Sequence, residues 1–281
     1  MKTGFVVLTY NWSDALLAVL RALAAQCGPD EVVVLAAGGS RPDQVRALHE
    51  GLPRFRCAVR HVWHPDVGFT AARARNLGAL HARSDYVVFL DGDCVPNPRF
   101  VFMHRRLAEQ ACSANASRVL LDADLSRRVA AGQVDPAALH PVEWLRLRLQ
   151  GRANKLAHML QWPGAPGRYE RRFRWRGIRS ANFGAWMRDL EAVNGFDEIY
   201  SGWGHEDADL VLRLHNAGRV RKNGFLATEV FHLWHTENTR AGEAANRDRV
   251  RERLASGLAW AQVGLAEASG GIPPVVTELN P

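Results

Sequence analysis

Three groups of polar residues in this sequence have types and spacings that could do chemistry. Asp91-Gly92-Asp93 sets two carboxylates one residue apart, and both can reach a hard cation or the phosphates bound to it. The plain alternative is an ordinary Asp-Gly turn. His232 and His235 stand at i and i+3. Their imidazoles converge on one cation only if the backbone turns there, because in a continued strand they point to opposite faces. A pair of core histidines is the competing reading. Together with Asp93 they offer a mixed oxygen and nitrogen set suited to Mn²⁺ or another borderline divalent ion. Gly202-Trp203-Gly204-His205-Glu206-Asp207 opens a helix. Capping alone could explain its acids, since a first helical turn stabilises negative charge. It does not explain Trp203 between two glycines, which suits stacking on a sugar face or a closing lid. The same dipole keeps a carboxylate ionised, as a general base must be.

Those groups need elements to present them. GFVVLTY (4–10) is a short apolar run ending at Asn11, and residues 14–26 have helical Ala/Leu spacing. EVVVLA (31–36) is β-branched and ends in Gly38-Gly39, residues 41–50 are helix-like, and RHVW (60–63) reads as a third strand. An Ala-rich helix over 70–83 carries Arg73, Arg75 and Arg83, and DYVVFLD (85–91) reads as a buried strand. Arg75 at a helix start can hold phosphate, or simply cover a solvated face. The alternation predicts an α/β fold, a mostly parallel sheet flanked by helices, with ligands at the C-terminal strand ends. Those ends carry Thr9, Tyr10 and Asn11, then Gly38 to Ser40, then Asp91 and Asp93. The pattern changes after Asp124. Residues 141–161 read as one amphipathic helix with Leu145, Leu149, Ala153, Leu156 and Leu160 on one face, and PGAPG (163–167) breaks it. Further helices are expected over 205–217 and 243–266, a strand over 225–231, and a loose tail from Ser269.

Composition sets the limits. The chain has 281 residues, with 47% apolar and 23% charged, which excludes disorder and collagen-like repeats and fits one large α/β domain. Cys27, Cys57, Cys94 and Cys112 show no CxxC pair and read as reduced thiols. No stretch approaches the roughly 20 apolar residues that cross a bilayer, and the first apolar run is too brief for a signal peptide. A cytoplasmic protein is expected. Of the net charge of +7, residues 141–180 supply ten Lys/Arg against two acids, so the basicity is local.

The signals occur in a fixed order, and in that order the sequence resembles the GT-A fold glycosyltransferases of family 2. VVLTYN looks like that family's first strand and nucleotide loop. GFTAARARNLGALHARSDYVVFLDGDCVP (68–96) is similar to the block ending in its DxD motif. SANFGAWMRDLEAVNGFDE (180–198) resembles the donor–acceptor segment, and GWGHED (202–207) the WGxED motif of the galactosyltransferase and chondroitin-polymerase branch. The resemblance covers roughly residues 4–96 and 177–237 and does not extend to 120–176. It implies that Thr9, Tyr10, Asn11, Arg75, Asn76 and Asp91 line the nucleotide pocket. Asp93, His232 and His235 would hold Mn²⁺ or Mg²⁺ on the diphosphate. Asp207 would be the catalytic base with Glu206 beside it, Trp203 and Gly204 would contact sugar, and Asn182 would contact the donor sugar. Where the family carries Asp before the Gly-Ser of the second strand loop, this chain has Ala36 and Ala37. A base contact would then come from elsewhere, such as backbone groups at 36–39.

The implied layout is one domain over 1–268: a nucleotide-binding half (1–96), a basic helical insertion (120–176), an acceptor and catalytic half (177–237) and a closing helix (243–266), with a flexible tail at 269–281. The implied activity is metal-dependent, inverting transfer of a hexose-type sugar from a nucleoside-diphosphate sugar, with UDP the expected nucleotide. The acceptor would be a hydroxyl of a glycan or lipid-linked saccharide in bacterial-type surface polysaccharide or glycolipid synthesis. The basic segment 141–179 fits an anionic membrane surface reached from the cytoplasmic side, an anionic acceptor, or a solvated helix face. Two other classes compete. A nucleotidyltransferase needs a Gly-rich, Lys-bearing N-terminal loop, where this chain has TYNWSD. A single-stranded nucleic-acid binder would use the Arg/aromatic stretch 168–179, but no nucleic acid is expected, since no RRM, KH or helix-turn-helix signature accompanies it.

Overall fold

Strands buried on both faces read as continuous apolar runs, and the runs at 4–10, 31–36 and 85–91 become the centre of the sheet in the computed structural model of the protein. It describes residues 1–65, 70–175, 177–200, 202, 204–236, 242–268, 270 and 272–280. Trp203, Arg176, Ser269 and the Gly68-Phe69 start of the DxD block lie outside the described residues.

The first half runs β1 (Thr3–Thr9), α1 (Ser13–Ala24), β2 (Glu31–Gly38), α2 (Pro42–Gly51), β3 (Ala58–His64), α3 (Ala71–Ala82) and β4 (Tyr86–Asp91). There follow β5 (Cys94–Pro96), α4 (Phe100–Leu107), β6 (Cys112–Asn115), β7 (Arg118–Leu120), α5 (Ala123–Ala130), α6 (Pro141–Leu149) and β8 (Tyr169–Glu170). The last part holds β9 (Asn182–Trp186), α7 (Met187–Glu191), α8 (Glu206–Asn216), β10 (Val220–Asn223), β11 (Val230–His232), α9 (Glu243–Ser256), α10 (Leu265–Ala268) and β12 (Val275–Asn280). Among the described residues the large sheet has the order β12-β3-β2-β1-β4-β9-β6-β10-β8, and β5-β11-β7 form a second, small sheet. The β3-β2-β1-β4 block and the β6-β10 pair are parallel. Strands β9, β8 and β12 join antiparallel, so the whole sheet is mixed.

Alternate residues of each central strand feed opposite layers. Phe5, Val7, Val33, Leu35, Val88 and Leu90 pack on α1 through Leu16, Leu20 and Leu23. Val6, Val34, Val87 and Phe89 face α3 and α8 through Leu77, Leu210 and Leu214. Helix α3 lies very close to the sheet: a Cβ added at Gly78 would stand 2.4 Å from Val6 Cγ1 and 3.2 Å from Ala36 Cβ. That closeness explains the run of small residues in α3. It also explains Ala36, whose Cβ faces Gly78; Ala37, the next residue along β2, is wholly buried as well.

Four expectations differ from the structure. The single helix over 141–161 ends at Leu149, because Gly151 turns left-handed at φ +73°. The chain then runs beside β7, with Leu121 bridging Ala153 and Asp122 N donating to Arg152 O at 3.0 Å. Leu145, Leu149 and Leu160 of that apolar face are exposed, and Trp144 points inward. The strand over 225–231 contracts to β11, because Ala227 and Thr228 N–H close a turn onto Gly224 O. The closing helix stops at Ser256, where Gly257 is left-handed at φ +68°. The tail is not loose over 275–280: β12 pairs with the open edge of β3, Arg60 Nε meets Glu278 at 2.7 Å, and Asn280 donates to the carbonyls of Phe55 and Cys57.

The basic segment divides by role. Arg152 pairs with Asp122 and Asp124, and Lys155 donates to Ser117 Oγ at 2.6 Å. Arg168 is buried among the carbonyls of Trp162, Pro163, Asn223 and Phe225. These cations anchor the insertion. Phe173 and Trp175 pack inward on the core, so the Arg/aromatic stretch is no open stacking platform. The four cysteines are buried free thiols. No helix among the described residues is long and apolar enough to cross a membrane.

Candidate active site

The Asp91-Gly92-Asp93 turn is built against the end of β1. Gly92 N donates to Leu8 O at 2.7 Å, and a Cβ at Gly92 would sit 2.8 Å from that carbonyl. Only glycine fits, so the turn delivers Asp91 at the tip of β4 and Asp93 at the start of β5. Strand β5 then pairs antiparallel with β11, placing Cys94 opposite His232, and Leu233 N donates to Asp93 O at 2.9 Å. Strand β11 ends at His232, so the backbone is free to turn and bring His235 round to the same side. His232 Nε2 and His235 Nε2 lie 3.6 and 3.1 Å from the same Asp93 Oδ2, and the two rings are 5.3 Å apart. The turn that the histidine spacing required is present.

Burial pushes Asp93 upward in pKa, but the His235 hydrogen bond and the charges of both histidines outweigh it and hold the carboxyl below its usual range. His235 is raised to about 9, chiefly by its hydrogen bond to Asp93. His232 is lowered by burial. A carboxylate and two imidazoles converging within this space fit a divalent cation. The Cys94 Sγ lies within 4.8 Å of the Asp93 and His232 ligand atoms. However, burial first and the Asp93 and Asp91 charges next drive its thiol well above the ordinary range. It donates to Asp93 Oδ1 at 3.4 Å and steadies that carboxylate, while His235 Nε2, 3.1 Å from Asp93 Oδ2, offers a further ligand atom.

A second group stands beside the first. Arg75, 4% exposed, donates to Asp91 Oδ1 and to Glu206 Oε1, each at 3.1 Å. One guanidinium therefore ties the end of β4 to the start of α8. Asp207, next along α8, is partly buried; its oxygens accept from Ala208 N at 2.7 Å and Ser180 N at 3.3 Å. Burial pushes Asp207 above the ordinary carboxylate range, against those N–H groups and the charges of Arg75 and Arg179. Glu206 is raised as well, by burial and then by Asp207. Two adjacent acids, both raised and both beside one arginine, are a common arrangement for proton transfer.

The loop before them is bent on purpose-suited residues. Gly202 and Gly204 have φ of +73° and +96°, and His205 follows at +75°. Gly204 faces open space, and its carbonyl accepts from Asn246 of α9 at 3.0 Å. His205 packs edge-on against Trp175 at 5.4 Å.

The remaining expected residues divide. Thr9 is buried next to Gly92, and Tyr10 is exposed beyond it. Asn11 is left-handed at φ +50° and accepts from Arg41 N at 2.7 Å, which joins the loop after β1 to the loop after β2. Asn76 and Asn182 lie elsewhere. Asn76 is buried and bonds the backbone of Phe196 and Glu198 Oε1. Asn182 is fully buried between His104 Nε2 and Thr228 O. In the structure both amides hold loops together. Sequence reasoning did not find Cys94, the Ser180 N–H or Trp12, whose ring meets His235 edge-on at 6.1 Å. Cys94 adjoins the Asp-Gly-Asp turn and was the one residue of the three with a visible signal.

Comparison with known proteins agrees with this arrangement. Residues 5–128 match the profile of glycosyl transferase family 2, and residues 167–236 match the N-terminal domain of galactosyltransferase. Validoxylamine A glucosyltransferase of Streptomyces hygroscopicus subsp. jinggangensis is 30% identical over 230 residues, covering 76% of this chain and 51% of the relative. The chain thus spans about half the length of that relative. Among solved structures, S. aureus TarS 1-349 in complex with UDP-GlcNAc superposes with a TM-score of 0.60 at 13% identity, covering 96% of this chain and 70% of TarS. GalNAc-T7 with UDP, GalNAc and Mn²⁺ gives 0.52 at 15% identity, covering 90% and 48%. At such identities these likenesses show the fold, while the profile matches fall on the residues that build the cleft. The chain belongs to glycosyltransferase family 2 and has the GT-A fold.

Proposed function

We propose that this chain is a metal-dependent, inverting glycosyltransferase. It moves a hexose-type sugar from a nucleoside-diphosphate sugar, with UDP the expected nucleotide, to a hydroxyl of a glycan or lipid-linked saccharide. The observation that carries this reading is that Asp93, His232 and His235 converge while Arg75 bridges Asp91 to the Glu206-Asp207 helix start. TarS was solved with UDP-GlcNAc, and GalNAc-T7 with UDP, GalNAc and Mn²⁺, which supports a donor and metal of this class.

Asp93, His232 and His235 would hold the cation, which when bound supplies positive charge against the diphosphate. Arg75 keeps Asp91 and Glu206 in register across the cleft. Asp207 takes the proton of the acceptor hydroxyl as the bond from that oxygen to the anomeric carbon forms. The bond from the anomeric carbon to the diphosphate oxygen breaks on the opposite side, so configuration inverts. The raised pKa of Asp207 makes it a better proton acceptor than an exposed carboxylate. The Ala208 and Ser180 N–H groups and the Arg75 and Arg179 charges oppose that rise without cancelling it.

The test is calorimetric titration with UDP in the presence and absence of Mn²⁺, on the parent and on Asp93→Ala. Mn²⁺-dependent nucleotide binding in the parent and its loss in the variant are expected. Equal affinity in the two proteins would remove the cation role. Proton NMR of the product from a turned-over nucleotide sugar then reads the anomeric configuration.

A further inference from the structure

Helix α6 presents its apolar stripe to solvent. On a 3.6-residue helix Val142, Leu145 and Leu149 fall within about 60° of one another, and they are 58%, 48% and 80% exposed. Arg146 lies about 40° beyond one edge of that stripe and Arg148 about 60° beyond the other. Both arginines are exposed, and among the described residues neither side chain makes a hydrogen bond or ion pair. The one acid of the helix, Glu143, is occupied in the cap, accepting from His140 N at 2.9 Å. The inward side is anchored: Trp144 stacks on Phe231 at 4.9 Å and meets His158 at 4.2 Å. The segment that carries His158 exposes Met159, Leu160 and Trp162.

We propose that α6 docks flat on an anionic lipid surface. An exposed apolar stripe with arginine on both flanks is the chemistry of an interfacial helix: the stripe enters the acyl boundary and the guanidinium groups stay with the phosphates. Trp162 fits the same boundary, where an indole has one apolar and one polar side. A second protein would cover the stripe equally well, but it would leave two unpaired arginines to be matched by acids. Arg152, Lys155 and Arg168 are taken up in anchoring the insertion, but Arg146 and Arg148 flank the stripe while the helix's own acid is held in its cap, and that charge favours an anionic bilayer. The inference goes beyond the proposed activity. The docked helix is one side chain from the metal group, since Phe231 under Trp144 precedes His232.

The test is co-sedimentation with phosphatidylcholine vesicles, with and without phosphatidylglycerol, and it needs no turnover. The full chain is expected to sediment with the anionic vesicles and to be released by salt. Leu145→Glu/Leu149→Glu should lose at least about tenfold in partitioning, and each of Arg146→Ser and Arg148→Ser roughly fivefold. Leu254→Glu/Leu258→Glu, which changes one exposed leucine in the last turn of α9 and one just beyond it, carries the same charge change and should sediment like the parent. Circular dichroism confirms that each variant is folded. A parent that stays in the supernatant, or a Leu145→Glu/Leu149→Glu variant that sediments like the parent, would overturn the proposal. So would a dimer in light scattering that the same double change splits.

Discussion

Arg75 Nη1 and Glu206 Oε1 stand 3.1 Å apart across 131 residues of chain, and the same guanidinium holds Asp91. This contact joins the end of β4 to the helix that carries Asp207. Arg75→Ala leaves Asp91 and Glu206 facing each other without their cation. Breaking a buried pair in this way costs about 3–5 kcal/mol, and activity should be lost with it. Arg75→Lys keeps the charge but cannot fork to both carboxylates, so it should recover part of the stability and little of the activity. Urea unfolding, read as a shift in midpoint at constant slope, checks both.

Asp207 is predicted to trade stability for reactivity. Its folded pKa is raised above the unfolded value, so the protonated form is the one the fold favours. The stability linked to that group is fully present below the ordinary Asp range and is lost as pH rises through the folded pKa. At neutral pH Asp207→Asn should therefore be at least as stable as the parent, while turnover falls by about 10²–10⁴. Thermal unfolding of both proteins from acid to neutral pH should show the variant's advantage shrinking as pH falls. A variant less stable than the parent at pH 7 contradicts the assigned shift.

The metal group separates ligands from their support. Asp93→Ala should abolish Mn²⁺-induced thermal stabilisation, and His232→Ala or His235→Ala should weaken it strongly. Saturation of an intact site at about a hundred times its Kd contributes about 2.7 kcal/mol, which a thermal scan resolves easily. Cys94→Ser keeps a donor toward Asp93 Oδ1 and should stay within a few fold of the parent. Cys94→Ala removes it and should lose about tenfold or more in metal affinity.

The central strands and the first three helices were legible because burial on both faces leaves unbroken apolar runs such as 31–36 and 85–91. Asp93, His232 and His235 were legible by residue type, yet their meeting depends on β11 ending at His232, a fact of backbone pairing that spacing does not carry. The family resemblance set Asn76 and Asn182 near a ligand, and the structure adds the loops that their amides hold. Their partners are set by loops 196–198 and 227–228 that only the fold brings near. Helix α6 is apolar on both sides, Trp144 inward and Val142, Leu145 and Leu149 outward, so its spacing does not say which side faces the core. Strand β12 depended on an open edge of β3 that no local pattern announces.

Two glycines of the site are predicted to fail differently when given a methyl group. At Gly92 the new Cβ meets Leu8 O at 2.8 Å, so the turn must move and carry Asp91 and Asp93 with it. Gly92→Ala should lower Mn²⁺ affinity by at least about tenfold although every ligand is intact. At Gly204 the new Cβ meets nothing within 4 Å, but φ of +96° is strained for any L side chain. Gly204→Ala should cost about 1–3 kcal/mol in backbone strain and disturb the loop against α9, with metal affinity unchanged. Calorimetric Mn²⁺ titration of the two variants, beside their unfolding midpoints, distinguishes displacement of the Asp91-Gly92-Asp93 turn from strain in the loop before α8. A Gly92→Ala protein that binds Mn²⁺ as the parent does would mean that the turn is not what positions Asp93.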